Sequence, residues 1–277
     1  MAEEPEVIVG LFGVGLLGSA IADRLTAAGV RWIGYDPARP DLGPSPKAVL
    51  ADSNILVLCL PTSHQTAELL ASIDRRRTII DTTTGDPAQV ARFGYSHSNY
   101  LDVTIGGSSA HLRAGEAILM AGAEPEVFEA NRAFLEKLSS KVFHCGPPGA
   151  GAKMKLVFNL VLGLNRAALA EGLAFAEATG LNAAAALEIL QAGPAASKIM
   201  ERKGPKMLHR EYEPEARLAQ HHKDVGLILK EGTIAKLHLP LTQAHDRILA
   251  MAEALGYAES DNSALIEAYR SDSVNGR

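Results

Sequence analysis

The stretch that decides the fold of the N-terminal half is Val7-Ile8-Val9-Gly10-Leu11-Phe12-Gly13-Val14-Gly15-Leu16-Leu17-Gly18. Its first six residues form the continuous apolar run that a strand buried on both faces of a parallel sheet requires. Residues 16–28 have the spacing of a helix, and Gly29 ends it. A strand, a glycine-rich turn and a helix in this order predict the first unit of a doubly wound α/β sheet.

The turn between this strand and helix has the pattern G-x-G-x-x-G, which in this context is typical of a dinucleotide-binding loop. Gly13 permits the tight turn, Gly15 leaves the backbone open to a pyrophosphate, and Gly18 lets the helix pack closely on the strand. The free N–H groups at the start of the helix favour an anion. The alternative is a plain tight turn without a ligand. The expected cofactor-binding loop consists of Gly13, Val14, Gly15, Leu16, Leu17 and Gly18.

Asp36 ends the second predicted strand, close to the distance of about 20 residues at which such loops carry an acidic residue. A carboxylate there accepts hydrogen bonds from a ribose diol and repels a 2′-phosphate, which favours NAD as the cofactor. Arg39 lies nearby and keeps NADP possible. Prolines at 40, 44 and 46 argue against a regular strand before Ile55, so we expect a shortened sheet edge near the adenosine end of the cofactor.

The two halves of the chain differ in periodicity. Further strands of the first half are predicted at residues 31–35, 55–60, 78–81, 100–103 and 117–120. After the glycine- and proline-rich stretch 146–151, the chain has helical spacing nearly to its end, beginning with a long helix over 152–179. Later helices are predicted at residues 183–191, 194–203, 216–236, 241–255 and 262–269. We expect a Rossmann-type doubly wound parallel sheet over residues 1–148 and an all-α domain over 149–277, joined by the long helix.

The composition excludes several classes of protein. Of 277 residues, 47% are apolar, which excludes disorder as the main state, and the formal net charge of -5 argues against a nucleic-acid-binding protein. Cys59 and Cys145 are too few for a disulfide scaffold and fit the reduced thiols of a cytosolic protein. The first residues are acidic rather than basic, and the strand-sized apolar runs are too short to cross a membrane. We therefore expect a cytoplasmic protein with neither a membrane nor a nucleic-acid partner.

Lys155 is the candidate for acid–base chemistry. Asn159 follows four residues later, so the two side chains share one face of the long helix, among apolar neighbours. Burial in an apolar cleft lowers the pKa of a lysine towards about 7–8, which suits proton transfer. The alternative is a solvated lysine whose stem covers apolar surface, and the spacing by itself favours that alternative.

No metal site is expected. His221 and His222 are adjacent, and neighbouring residues on a helix point about 100° apart, so they are poorly placed to bind one metal ion. Ordinary helix or interface histidines are the simpler interpretation. Cys59 lies within an apolar run and is expected to be buried and inert.

Taken in order, these motifs resemble the 3-hydroxyisobutyrate dehydrogenase family, the β-hydroxyacid dehydrogenases related to 6-phosphogluconate dehydrogenase. The resemblance spans nearly the whole chain. Leu60-Pro61-Thr62 resembles the loop that lines the dinucleotide, and the segment 81–87 resembles the one near the nicotinamide, with Thr84 as the expected contact. Residues 146–159 resemble the family pattern G-x-x-G-x-G-x-x-x-K-x-x-x-N. Lys223-Asp224 and the segment 256–266 resemble family signatures of the helical half.

The resemblance implies a chemistry and a set of roles. A hydride passes between the carbinol carbon of a small 3-hydroxy acid, or the carbonyl carbon of its semialdehyde, and C4 of a nicotinamide. Lys155 removes the hydroxyl proton in oxidation and returns it in reduction, Asn159 orients the substrate, and Lys223 reaches the cofactor and the substrate. The resemblance favours a catalytic role for Lys155 over the interpretation as a solvated lysine. It also implies a substrate and dimerisation role for the helical domain and a homodimer or homotetramer.

The expected substrate loop departs from the family pattern D-x-P-V-S-G-G. It reads Asp102-Val103-Thr104-Ile105-Gly106-Gly107-Ser108, so Thr104 replaces the proline and Gly106 replaces the serine. Ser108 can take over from that serine, and the N–H groups of two adjacent glycines can form an anion nest. The expected substrate-binding residues are Gly106, Gly107, Ser108, Asn159 and Lys223.

Two other functions are compatible with the pattern. An imine reductase uses the same scaffold, but those enzymes generally lack the lysine, so Lys155 counts against it. A non-catalytic dinucleotide-binding protein is compatible with Gly106 and the shortened sheet edge. The presence of Lys155, Asn159 and Lys223 together counts against that alternative.

Overall fold

A computed structural model describes residues 7–275 of the chain, and the side chains of residues 7–271. The chain divides into two compact units, Met1–Lys155 and Leu156–Arg277. The first unit is an α/β domain built on one sheet, and the second consists of helices.

The first unit contains a seven-stranded sheet in the order β2-β1-β3-β4-β5-β6-β7. The strands are β1 Ile8–Phe12, β2 Arg31–Tyr35, β3 Ile55–Leu58, β4 Thr78–Asp81, β5 Tyr100–Gly106, β6 Ile118–Gly122 and β7 Lys141–Gly146. Neighbouring strands are parallel, apart from the antiparallel pair β5 and β6. That pair is antiparallel because the short connection 107–117 cannot carry the chain back to the start of the sheet. The predicted Rossmann-type doubly wound fold is confirmed, with this one reversed pair added.

Six helices accompany the sheet. They are α1 Leu16–Ala27, α2 Pro46–Ala51, α3 Ser63–Leu70, α4 Pro87–Ser96, α5 Ser109–Arg113 and α6 Pro125–Leu138. Side-chain caps set the start of four of them: Ser45 begins α2, Thr62 begins α3, Asp86 begins α4 and Ser108 begins α5. Each cap accepts a hydrogen bond from a first-turn N–H group.

Apolar side chains are buried on both faces of the sheet. In β3, Leu56 and Leu58 belong to one core cluster and Val57 to the other, and all three are fully buried. Successive strand residues point to opposite faces, so this alternation shows that both faces are covered. A continuous apolar strand is what such a sheet requires, as the sequence indicated.

The sheet edge beyond β2 is short, as predicted. Within residues 37–54 the structure has the six-residue helix α2 and no strand. β2 therefore ends the sheet on that side, and β3 pairs directly with the other side of β1 through Val9 and Ile55. Prolines in this segment lack the N–H groups that a strand ladder needs.

The second unit holds most of the helix α7 Ala150–Ala178, which begins in the first unit. It is followed by α8 Ala183–Ala192, α9 Lys198–His209, α10 Leu218–Ile234, α11 Pro240–Ala254, a 3₁₀ turn Asn262–Leu265 and α12 Ile266–Asn275. One expected helix is displaced: α9 begins four residues after the predicted residue 194 and continues past 203, with Pro205 inside it. β7 was also missed, because this edge strand is mostly exposed and lacks an apolar run.

α7 is longer than the strand-sized apolar runs that were too short to cross a membrane. Of the helices within residues 7–275, it is the one with the length and composition of a membrane span, and 44% of its most apolar window is buried. The core helix of a soluble protein meets the same criteria.

Candidate active site

The glycine-rich turn links the ends of β1 and α1. Gly13 has a positive φ of 86°, and a Cβ there would collide with the carbonyl oxygen of Cys59. A Cβ on Gly18 would collide with the carbonyl oxygen of Gly13. Packing within the protein therefore requires glycine at both positions, because backbone atoms occupy the space that a side chain would need.

Gly15 differs from the other two glycines of the turn. A Cβ there would meet no atom within 4 Å, and the residue is exposed. Gly15 is also the N-cap of α1, and no side chain caps this helix. The positive end of the helix dipole and the uncapped N–H groups beside Gly15 are thus available to an anion. This cradle fits an anionic group such as a dinucleotide pyrophosphate, and a side chain on Gly15 would fill it.

Asp36 is held against the glycine-rich turn. Its Oδ2 accepts a hydrogen bond from Val14 N at 2.7 Å, and its Oδ1 accepts one from Ala38 N at 2.8 Å. Each carboxylate oxygen can accept more than one hydrogen bond, so a ribose hydroxyl can still be bound. Arg39 forms an exposed ion pair with Asp41, with Nη2 2.7 Å from Oδ2.

The loops after β3 and β4 are tied to each other beside the glycine-rich turn. Leu60 N donates to Thr83 Oγ1 at 3.1 Å, and Thr82 N donates to Leu58 O at 2.7 Å. Pro61 is exposed and Thr84 is half-buried. These loops lie at the carboxyl ends of parallel strands, where ligands bind in open α/β sheets.

The expected substrate loop has a defined internal structure. Gly106 is the last residue of β5 and pairs with Ile118 of β6, and Gly107 follows with a φ of 123°. Ser108 caps α5: its Oγ accepts a hydrogen bond from His111 N at 3.4 Å and lies 3.0 Å from His111 Nδ1. The Ser108 hydroxyl thus has a structural partner that the sequence did not indicate.

Lys155 is buried at the end of the first unit. Its side chain leaves 9% of the residue exposed, and its Nζ donates a hydrogen bond to Ile105 O at 2.6 Å. This is not the environment of a solvated surface lysine, which was the alternative on spacing alone. Since β5 supplies the acceptor, the tertiary structure fixes the position of the amine.

In the second unit, Asp224 joins two of the expected site residues. Asn159 Nδ2 donates to Asp224 Oδ2 at 2.9 Å, and both residues are buried. Lys223 Nζ lies 3.3 Å from Asp224 Oδ1. The sequence paired Asp224 with Lys223, but it gave no sign that Asp224 also orients the Asn159 amide, which lies 65 residues away in the chain.

The remaining thiols and imidazoles have ordinary partners. Burial raises the pKa of Cys59 to about 11, and burial also raises the pKa of Cys145, so both thiols stay protonated at neutral pH. His221 Nε2 lies 3.0 Å from His245 Nε2, whereas His222 faces carboxylates. Across residues 7–275, no group of three His, Cys, Asp or Glu side chains is arranged to hold a metal ion.

Each half of the chain matches the model of a known protein family. Residues 8–146, half of the chain, match the family model described as the NAD binding domain of 6-phosphogluconate dehydrogenase. Residues 149–269 match the one described as NAD-binding of NADP-dependent 3-hydroxyisobutyrate dehydrogenase.

Two relatives and one solved structure are similar over nearly their full length. The chain is 28% identical to 2-hydroxy-3-oxopropionate reductase of Escherichia coli over 94% of the chain and 96% of the relative. It is 26% identical to 2-(hydroxymethyl)glutarate dehydrogenase of Eubacterium barkeri, over 96% of each. The fold matches that of a 3-hydroxyisobutyrate dehydrogenase from Salmonella typhimurium with a TM-score of 0.85 and 22% identity, covering 94% of this chain and 99% of that one.

Sequence, fold and family descriptions agree. Both halves match nucleotide-binding dehydrogenase families, and the two relatives are named as a reductase and a dehydrogenase. The glycine-rich turn with its open cradle fits the NAD(P) that these family descriptions name. The chain therefore belongs to the 3-hydroxyisobutyrate dehydrogenase family, the NAD(P)-dependent β-hydroxyacid dehydrogenases related to 6-phosphogluconate dehydrogenase.

Proposed function

We propose that the chain transfers a hydride between the nicotinamide of NAD(P) and a small 3-hydroxy acid or its semialdehyde. The observation that carries this proposal is the buried Lys155 amine, fixed by its hydrogen bond to Ile105 O. The names of the two relatives support the substrate class. In both 2-hydroxy-3-oxopropionate and 2-(hydroxymethyl)glutarate, the carbon that is oxidised or reduced is bonded directly to a carbon that bears a carboxylate.

Lys155 moves the proton in this proposal. NAD(P), when bound, accepts the hydride in oxidation and donates it in reduction. In oxidation, the carbinol C–H bond breaks with its electron pair, the C=O bond forms, and the neutral Lys155 amine takes the hydroxyl proton. In reduction, the Lys155 ammonium returns that proton to the substrate oxygen. The hydrogen bond to Ile105 O holds Nζ in place for both directions.

Asn159 and Lys223 are proposed to bind the substrate, and Lys223 also the cofactor. Asp224 accepts a hydrogen bond from Asn159 Nδ2, which fixes the orientation of the amide and so of its carbonyl oxygen. Lys223 provides a positive charge that suits a carboxylate or a phosphate. Gly106, Gly107 and Ser108 are proposed to contact the substrate carboxylate, with backbone N–H groups as the donors, because the Ser108 hydroxyl is engaged with His111.

The proposed cofactor site uses the carboxyl ends of β1 to β4. The glycine-rich turn takes the pyrophosphate, Asp36 the adenosine ribose, and the later loops the nicotinamide side. We propose NAD as the preferred cofactor, because the Asp36 carboxylate repels a 2′-phosphate. The residues of the site are Gly13, Val14, Gly15, Leu16, Leu17, Gly18, Asp36, Leu60, Pro61, Thr84 and Lys223.

The domain boundary, assembly and location are also proposals. We assign residues 1–148 to cofactor binding and 149–277 to substrate binding and dimerisation, in a cytoplasmic homodimer or homotetramer without nucleic-acid or membrane partners. An exposed apolar face of α7 supports the assembly: Val157, Val161 and Phe175 are 57%, 53% and 68% exposed. A monomer in multi-angle light scattering would overturn it.

The decisive experiment combines a substrate panel with one variant. Purified protein is assayed with NADH and NADPH against 2-hydroxy-3-oxopropionate, succinic semialdehyde and 3-hydroxyisobutyrate. Lys155→Ala is expected to lower kcat by about 100-fold or more, the range of general acid–base catalysis, while NADH binding is kept. Lys153→Ala, an exposed lysine in the first turn of the same helix, is the matched control and leaves kcat unchanged.

Three results contradict the proposal. Normal turnover by Lys155→Ala removes the acid–base role. Tight NADH binding with no turnover of any member of the panel favours a non-catalytic dinucleotide-binding protein instead. Turnover of a cyclic imine in preference to the carbonyl compounds favours an imine reductase.

A further inference from the structure

The first turn of α7 is attached to β5 by a buried carboxylate. Asp102 is 1% exposed, and its two oxygens accept hydrogen bonds from backbone N–H groups at the start of the helix: Gly149 N at 2.9 Å and Ala152 N at 2.7 Å. A carboxylate at the N-terminal end of a helix also interacts favourably with the helix dipole. Asp102 thus determines where α7 begins relative to the sheet of the first unit.

Thr104 makes a second attachment on the same face of β5. Side chains two residues apart on a strand point the same way, so Thr104 faces α7 together with Asp102. Its Oγ1 donates a hydrogen bond to Gly151 O at 2.9 Å, and the residue is fully buried. Thr104 stands where the family pattern has proline, so this hydroxyl contact belongs to this chain rather than to the pattern.

Two glycines make room for the Asp102 carboxylate. A Cβ on Gly122 of β6 would collide with Asp102 Oδ1, and a Cβ on Gly151 would lie 2.8 Å from Asp102 Oδ2. Contacts this close are not tolerated, so any side chain at either position would displace the carboxylate. The two glycines therefore leave the space that the side chain of Asp102 occupies.

Lys155 lies one helical turn beyond these attachments. Its Nζ donates to Ile105 O, the residue that follows Thr104 in β5. One strand thus holds both the first turn of α7 and the amine at the end of the second. Since a helix is stiff over one turn, a shift of residues 149–152 is passed on to Lys155.

We infer that Asp102 and Thr104 are positioning residues for Lys155: through the first turn of α7 they set the location of its amine. This inference rests on the proposed function, in which Lys155 moves the proton. A displacement of about 1 Å in a reacting group can lower the rate by about 100-fold, so loosening the attachment is expected to lower kcat rather than cofactor affinity.

The ionisation of Asp102 provides a readout that a merely structural residue would lack. Burial raises the pKa of Asp102 to about 7, although the N–H groups of Gly149 and Ala152 oppose this shift. The other titratable groups that interact with it are Asp81 on β4, Tyr100 on β5 and Cys145 on β7. Lys155 lies on α7, the helix whose first N–H groups Asp102 binds. Protonation removes the charge that holds the two N–H groups, so the attachment weakens as the pH falls below about 7.

The pH dependence of the reductive reaction separates the ionisation of Asp102 from that of Lys155. In reduction, Lys155 must be protonated, so its own titration lowers the rate at high pH. A loss of kcat for reduction at low pH, by contrast, reports Asp102. Steady-state kinetics of succinic semialdehyde and 2-hydroxy-3-oxopropionate reduction by NADH across pH is therefore the measurement.

Two variants of the intact chain test the attachment. In Asp102→Asn, the amide oxygen can accept a hydrogen bond from one of the two backbone N–H groups, but the amide NH₂ group faces the other. We expect kcat to fall by about 100-fold. Thr104→Val keeps the shape and loses the hydroxyl, and we expect a fall of about 10-fold. Both variants keep the NADH dissociation constant, and Asp102→Asn loses the low-pH decline.

Two controls identify the route of the effect. The Asn182 side chain is the N-cap of α8 and accepts a hydrogen bond from Ala185 N. Asn182→Ala removes this cap and is expected to lower Tm while leaving kcat and its pH profile unchanged. In a Lys155→Ala background, Asp102→Asn is expected to cause no further loss of rate, because the residue acts through Lys155. An additional loss in that background would overturn the inference.

A measurement without substrate covers the remaining outcomes. Amide hydrogen exchange at Gly149, Ala152 and Lys155 is expected to accelerate in Asp102→Asn, and it remains informative if neither aldehyde is turned over or the variant is unstable at assay temperature. Unchanged exchange there, or wild-type kcat in both variants while Lys155→Ala is inactive, refutes the positioning role and leaves the proposed function intact. Wild-type kcat in Lys155→Ala refutes the proposed function and, with it, the inference.

Discussion

Asp81 and Asp102 lie opposite each other on the neighbouring strands β4 and β5, and both carboxylates are buried. Each anchors a different segment at the carboxyl edge of the sheet. Asp81 accepts the N–H group of Thr83 at 2.9 Å, and Asp102 accepts the N–H groups that begin α7. Burial raises the pKa of both carboxyls, and the hydrogen bonds that they accept oppose this shift.

Tyr100 is expected to stabilise this arrangement. Its Oη donates to Asp81 Oδ2 at 2.7 Å inside the protein, so Tyr100→Phe leaves a buried carboxylate oxygen short of a donor. We expect the free energy of unfolding to fall by about 1–3 kcal/mol at neutral pH. Urea denaturation followed by circular dichroism measures this. Tyr95→Phe, at a position that is 86% exposed, is the control, and equal stabilities of the two variants would contradict the prediction.

Gly15 and Gly18 are expected to respond in opposite ways to the same substitution. Gly15→Ala adds a methyl group where no protein atom lies within 4 Å, so stability should change by no more than about 1 kcal/mol. The methyl group does occupy the pyrophosphate cradle, and the NADH dissociation constant should rise by about tenfold or more, as for a loss of about 1.4 kcal/mol.

Gly18→Ala instead places a methyl group against the Gly13 carbonyl oxygen and should destabilise the fold by about 1–3 kcal/mol. Isothermal titration calorimetry and thermal unfolding of both variants check the pair. Undiminished NADH affinity in Gly15→Ala would remove the case for a phosphate-binding turn.

Asp36 is expected to set the cofactor preference. Asp36→Asn keeps the acceptor for Val14 N but removes the charge that repels a 2′-phosphate. Removing a repulsion of about 1 kcal/mol in a solvated setting shifts the ratio of the NADPH and NADH dissociation constants by about fivefold towards NADPH. Fluorescence titration with both cofactors measures the ratio. Asp41→Asn, which disturbs the exposed Arg39 pair, is the control, and an equal shift there would assign selectivity to Arg39 instead.

In the second unit, Asp261 should make stability depend on acid pH. Burial by itself raises the pKa of Asp261, but the ion pair with Lys203, 2.8 Å away, lowers it to about 2 overall. A carboxyl whose pKa is lower in the folded state stabilises the protein above the unfolded pKa of about 3.9 and loses that contribution as the pH falls. The loss amounts to about 2 kcal/mol between pH ~4 and ~2.

Lys203→Met tests this assignment, since burial lowers the pKa of Lys203 itself and the pair is enclosed. At neutral pH, the variant leaves a buried unpaired carboxylate and should lose about 3–5 kcal/mol. The difference from wild type should shrink as the pH falls below about 4, because Asp261 is then protonated in the variant. Urea denaturation at several pH values measures it, and a difference that does not change with pH would contradict the role of Asp261.

Local sequence was sufficient for the elements that depend on local periodicity. The run before Gly13, the turn through Gly18 and the change to helical spacing after residue 146 predicted the fold class and the order of its two units. The glycine pattern could be recognised because steric exclusion at Gly13 and Gly18 acts within the turn and against the adjacent strand end. β7 could not, because an exposed edge strand needs no apolar pattern.

The sequence identified the residues of the candidate site but not the partners that they contact. Lys155 was identified by its motif, whereas its environment depends on Ile105 O, fifty residues earlier in the chain. The spacing also gave no indication that Asp102 meets the start of α7 or that Asp224 meets Asn159.

The sequence by itself thus determined the fold class, most of the strands, the helices of the second unit and the glycine turn, because backbone sterics and burial periodicity act over a few residues. The tertiary structure alone decided which buried polar groups are partners, because a buried carboxylate requires donors from whichever segments the fold brings beside it. Asp102 shows this most clearly: it stands in an apolar strand by sequence, and in the folded chain it holds the helix that carries Lys155.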